Sequence, residues 1–180
     1  MIRKTLLAVL LAASGVSAHA ALNTGDIAFT SFNADEDGLS FVALTNIAAN
    51  TNIYFSDNEF VSGAFNTGES FNQWNSGSSA IAAGSVVRFS AYDKTTLSSS
   101  VGTLSRVTVS GSSNWGIANS NETIYAYLGT AATTPTTFLS AITNGSFTSN
   151  GPLDGTGLTE GDNAIRLNTY ATSATPDYAE

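Results

Sequence analysis

The stretch NADEDG, residues 33–38, sets Asp35, Glu36 and Asp37 side by side ahead of a glycine. Adjacent carboxylates repel one another and a divalent ion relieves that repulsion, so calcium is the one cofactor this segment suggests. Against the helix–loop–helix calcium motif, Asn33, Asp35, Asp37 and Gly38 stand at the first, third, fifth and sixth positions. The twelfth, which needs a bidentate Glu, is Leu44, and the flanks are strand-like, so that motif fails. An oxygen-lined site of another kind stays open, to which Asp57 and Glu59 of SDNEF would contribute if both segments lie at one end of the fold. The candidate metal ligands are therefore Asp35, Glu36, Asp37, Asp57 and Glu59. The alternative is a solvated hairpin turn, the commoner use of Asn, Asp and Gly in such a run.

Other residues carry weaker chemistry. Glu59, Glu69, Glu122, Asp57 and Asp93 are the acids from which a glycoside hydrolase could draw a pair, but no spacing sets two of them across a cleft. Glu122, at the start of an expected strand beside Asn119 and Asn121, reads as a solvated acid. Trp74, Trp115, Tyr54, Tyr92, Tyr125 and Tyr127 raise a carbohydrate-binding face. Within that set Tyr125 and Tyr127 share one side of a strand whose other side already supplies Ile124, Ala126 and Leu128 to a core, so a stacking platform and cross-strand packing stay equally open. The loop DGTGLTEGDN, 154–163, is oxygen-rich but lacks the nonapeptide repeat of calcium-binding solenoids. Asn121-Glu122-Thr123 and Asn144-Gly145-Ser146 match the glycosylation acceptor pattern, as chance alone would provide in so Asn- and Ser-rich a chain.

The N-terminus limits this chemistry further. In MIRKTLLAVLLAASGVSAHA, Arg3 and Lys4 precede an apolar run too short to span a bilayer, and Ala18 and Ala20 supply a small-residue cleavage site. Residues 1–20 read as a signal peptide, with the mature chain beginning near Ala21. The only histidine, His19, leaves with it, and the sequence has no cysteine. Thiolate chemistry, disulfides and a Ser-His-Asp triad are excluded, and a Cys/His zinc site with them. Of six Lys and Arg, Arg3 and Lys4 are lost, leaving four against fourteen acids, a formal charge of −10. Such a surface repels phosphate backbones and makes nucleic acid an unsuitable partner. No later apolar run is long enough for a membrane helix.

The elements that must position these residues are short strands. Ser, Thr, Asn and Gly separate brief apolar runs, a composition that depresses helix and favours strands joined by turns. Strands are expected at 26–32, 39–47, 52–56, 85–92, 106–110, 122–128, 137–142 and 164–168. SVVRFSAY and ETIYAYL show the two-residue period of half-buried strands, whereas FVALTNI is apolar on both faces, as in a central strand. The best helical segment is a weak turn near 80–83, and 144–163 reads as a long loop. Together these predict an all-β, antiparallel β-sandwich forming a single domain over 21–180. The chain ends at ATPDYAE without a closing apolar run, so further residues beyond Glu180 are expected.

The motifs GDIAFTSFNADEDGLSFVALTNI, TNIYFSDNEF, IAAGSVVRFSAY and WGIANSNETIYAYLG, spanning 25–129, resemble a lamin-tail domain of secreted bacterial proteins. That resemblance implies an immunoglobulin-like sandwich acting in interaction or adhesion, in some cases appended to nucleases or phosphatases. It brings no catalytic residues. The family's second strand usually has a Glu before its Leu-x-Asn, where this chain has Ala43 before Leu44, Thr45 and Asn46.

The function expected is a secreted, non-catalytic module for adhesion, extracellular matrix or self-assembly at the cell envelope, with self-association or an extracellular glycan as partner. Sheet edges with few lysines would suit strand addition between copies. A calcium-dependent carbohydrate-binding module is the alternative, and a carboxylate-based hydrolase the third.

Overall fold

The computed structural model describes residues 21–167; the expected signal peptide, and Asn168 with the chain beyond it, lie outside the described residues. Within them the chain is all-β, with no helix. One sheet has the order β1 (Ile27–Asn33), β2 (Gly38–Ala43), β7 (Val86–Ser90), β8 (Ser98–Ser99). The other runs β12 (Ala164–Arg166), β11 (Thr134–Thr143), β10 (Thr123–Ala131), β3 (Asn52–Ser56), β6 (Phe71–Asn75), β9 (Thr103–Arg106). All these pairings are antiparallel except β11 with β12. A small hairpin of β4 (Phe60–Val61) and β5 (Ala64–Phe65) stands apart.

The two sheets face each other in a sandwich-like arrangement, because period-2 strands present one apolar face each. Phe41 of β2 sits at the centre, its ring 5.7 Å from Phe55, 5.3 Å from Trp74 and 5.8 Å from Phe89. Ile27, Phe29, Leu39, Val87, Ile53 and Ile124 complete the layer, all buried. β2 is central to its sheet, as its doubly apolar sequence predicts. The N-terminal segment ties one sheet to the other: Gly25 N–H donates to Leu139 O at 2.8 Å and the Thr24 hydroxyl to Phe138 O at 2.8 Å. Of the edge strands, β8, β9 and β12 span only two to four residues, whereas β1 runs for seven with a bulge between Phe29 and Ser31, so β1 alone offers a length of edge for strand addition.

The outer face of the six-stranded sheet is covered as well. The β4–β5 hairpin and the 144–163 loop lay Phe60, Phe65, Phe147 and Leu158 over Phe71, Tyr125, Tyr127 and Phe138, a second buried cluster. The hairpin turn carries Ser62 and Gly63 at positive φ, 55° and 85°, the geometry that matches strand twist.

The expected helical turn near 80–83 is absent; Ile81 instead bridges Ile47 in extended backbone. The strand expected at 106–110 lies earlier, at Thr103–Arg106, and β6, FNQWN, is a strand the sequence did not announce.

Candidate functional site

Asp57 follows β3 at the end of the sandwich where β1, β7 and β9 also finish and β2, β6 and β10 begin. Register fixes its neighbours. Ser56 pairs with Phe71 on one side and Tyr125 on the other, so the chain beyond β3 runs between the lead-in to β6 and the lead-in to β10. Those lead-ins carry Glu69 with Ser70, and Glu122. Alternation continues past the strand ends: Asp57 shares the inward side of Ile53 and Phe55, and Glu122 that of Ile124 and Ala126.

The three carboxylates meet there. Each of Asp57, Glu69 and Glu122 offers an oxygen within 4.8 Å of the others'. Asp57 and Glu122 are buried and Glu69 is half-buried. Asp57 Oδ1 accepts two bonds from Ser70, from its N–H at 2.7 Å and its hydroxyl at 2.9 Å, whereas Oδ2 is buried without a partner. Glu122 Oε2 accepts from Ala118 N–H at 3.1 Å, and Glu69 is steadied by its own N–H donating to Asn58 Oδ1 at 3.1 Å. Tyr92, entirely buried, brings its ring from the opposing sheet. Its hydroxyl lies close to Asn72, Ser70 and Asp57 and has no partner, nor has Asn72 Oδ1.

Electrostatics at this separation are steep. Two ionised carboxylates within 4.8 Å of each other repel by roughly 3 kcal/mol or more at an effective dielectric of about 20. Burial, with the neighbouring acids adding to it, pushes Asp57 up to about 7 and Glu122 up to about 9; Glu69 is raised by burial and by Glu59. Tyr92 is raised by burial and by the nearby Asp57. Among the described residues the one cation in range is Arg106, whose guanidinium carbon stands 4.7 Å over the Trp115 ring and 5.9 Å over Tyr92. Its Nη2 donates to Tyr92 O and Lys94 O, and its Nε and Nη1 are buried without partners.

The segment 107–121 crosses this end as a strap. The Ser112 hydroxyl donates to Glu69 O, Ile117 N–H to Asp37 Oδ1 at 2.6 Å, and Asn144 Nδ2 to Ala118 O at 2.9 Å. Asn144 is thus consumed by the fold, with its Oδ1 accepting from Glu122 N–H at 2.7 Å, and the Asn144 acceptor pattern has no free amide.

The five expected metal ligands share one end of the fold but not one site. Asp35 is exposed, Glu36 pairs across solvent with Arg88 at 3.5 Å, and Glu59 holds Asn66. Asp37 is raised by burial and by Asp93 beside it while serving the strap. The 33–38 run is a hairpin turn, with Asn33 opposite Gly38, Asn33 Oδ1 accepting from Glu36 N–H and Asp37 at φ 46°. Only Asp57 of the five belongs to the converging group, with Glu69 and Glu122 as its partners. Glu122 is not the solvated acid expected of a strand start.

Tyr125 and Tyr127 form no platform. Both are fully buried under the β4–β5 hairpin, with their hydroxyls donating to Pro152 O at 2.9 Å and to Ala132 O. Covering of the sheet's outer face by a loop and hairpin is what defeats the expectation. No family model, curated protein or solved structure matches the chain.

Proposed function

We propose that this chain is a secreted, non-catalytic β-sandwich module serving adhesion, extracellular matrix or self-assembly at the cell envelope, with the acidic end of the sandwich as its contact surface. One observation carries this: the exposed or half-buried Asp35, Glu36, Asp37, Glu59, Glu69 and Asp93 lie at the same end, on loops held by a stitched two-sheet scaffold. Functional loops on a rigid frame are the usual arrangement for recognition. The finer assignment to an immunoglobulin-like, lamin-tail type belongs to the same proposal; the facing sheets and the pattern over 25–129 support it.

The test is binding of the purified protein to cells and matrix glycans, alongside its sedimentation at high concentration. Attachment or assembly that weakens in D35N/E36Q supports the proposal. A strictly monomeric protein that binds neither contradicts it.

A calcium-dependent carbohydrate-binding module is the second reading, favoured by the convergence of three acids and weakened by the burial of Tyr125 and Tyr127. A hydrolase would need two acids lining an open cleft, and two of these three are buried beneath Ser70, Tyr92 and the strap. Turnover of glycoside substrates, lost in E69Q, would overturn the non-catalytic assignment.

A further inference from the structure

We propose that Asp57, Glu69 and Glu122 form a binding site for one hard divalent cation of the calcium class. The proposal goes beyond the adhesion reading and does not depend on it. The first ground is convergence: three carboxylate oxygens from three neighbouring strand ends lie within 4.8 Å of one another.

The second ground is independent of the acids' clustering. The Tyr92 hydroxyl is entirely buried, lies close to Asp57 of the cluster and has no hydrogen-bond partner; Asp57 Oδ2 and the buried Asn72 Oδ1 beside Tyr92 are in the same condition. A buried polar atom without a partner is costly, and native folds rarely tolerate several together. Here the Tyr92 hydroxyl comes from beyond β7 of one sheet and Asp57 from beyond β3 of the other. An ion coordinated by the Asp57 carboxylate would satisfy its Oδ2.

Charge gives the third ground. Three carboxylates and the Arg106 guanidinium in range sum to a net −2 when all are ionised, which one dication balances.

The donor set selects the ion. Every available group is an oxygen: carboxylates, an amide carbonyl and a phenol, with no imidazole or thiolate among the described residues. Oxygen sets suit calcium and magnesium rather than zinc or copper. Mixed carboxylate and amide donors on loop and strand ends match calcium's flexible coordination better than magnesium's strict octahedron. Half-buried Glu69 marks the way in from solvent.

Calcium and magnesium titrations by calorimetry, with melting in calcium against chelator, test this in wild type, D57N, E69Q and the surface control D35N/E36Q. The expected result is one calcium per chain, a higher melting temperature in calcium, magnesium weaker, at least tenfold loss of affinity in D57N and E69Q, and little change in the control. E69Q decides if D57N does not fold, since Glu69 is half-buried. No calcium binding by wild type, or equal weakening by the surface control, overturns the proposal.

Discussion

Ser70 grips Asp57 from one side only: its N–H and its hydroxyl both donate to Oδ1, at 2.7 and 2.9 Å, and Oδ2 is left buried without a partner in a carboxylate that converges with Glu69 and Glu122. The carboxylate is thus oriented by the lead-in to β6 and held in a cluster of its own charge. That arrangement stores repulsion unless protons or a cation neutralise it.

The first consequence concerns pH. Asp57 rises to about 7 and Glu122 to about 9, both chiefly through burial, so each binds its proton more tightly in the folded than in the unfolded chain. The groups facing them are Glu69, Ser70, Tyr92 and Arg106. The contribution of these two acids to stability in chelator is therefore fully present below about pH 4, where unfolded carboxyls titrate, and is lost as pH rises through about 7 and then 9. Thermal melts at pH 5 and pH 9 in chelator should show the lower melting temperature at pH 9. A melting temperature that climbs with pH would contradict the burial of these acids.

A second prediction concerns the inter-sheet core. Phe41 touches Phe55, Trp74 and Phe89, one from each of three strands, so Phe41→Ala opens a cavity that no single element can close. The expected loss is about 3–5 kcal/mol in urea unfolding. A loss below about 1 kcal/mol would argue against face-to-face sheets.

The tyrosines provide a third. Tyr125→Phe removes the donor to Pro152 O, and Tyr127→Phe the donor to Ala132 O. Each should cost about 1–2 kcal/mol of stability. Neither should alter glycan binding, and a glycan affinity that fell with either hydroxyl would restore the surface platform.

Arg106 yields a fourth. Its guanidinium lies over Trp115 and donates to Tyr92 O and Lys94 O, pinning the strap to the end of β7. Arg106→Ala should destabilise by about 2 kcal/mol through the lost cation–π contact and two orphaned carbonyls. Hydrogen exchange at Ile117 and Ala118 should accelerate more than exchange in β2. Uniform acceleration would show a global loss instead.

Much of this architecture was legible in the alternation of short runs. SVVRFSAY and ETIYAYL became β7 and β10, and the acidic run became a turn, because a two-residue period and Asn-Asp-Gly chemistry act locally. FNQWN was missed because its inward positions include Asn72, a buried polar residue that breaks the pattern from which strands are read. The site was half legible. Glu122 lies in phase with Ile124 and Ala126, and Asp57 with Ile53 and Phe55, so extending the alternation one step beyond each strand marks both as interior. That Glu69 joins them depends on β6 pairing with β3, a long-range register that no local pattern encodes. The covering of Tyr125 and Tyr127 likewise comes from the distant 144–163 loop.

A crystal structure grown in calcium tests the central claim most directly. It should show a density peak between Asp57 Oδ2, Glu69 and Glu122, with oxygen distances of about 2.3–2.6 Å and Asn72 Oδ1 turned toward it. Three carboxyls hydrogen-bonded to one another, or splayed apart into water with no ion between them, would contradict it.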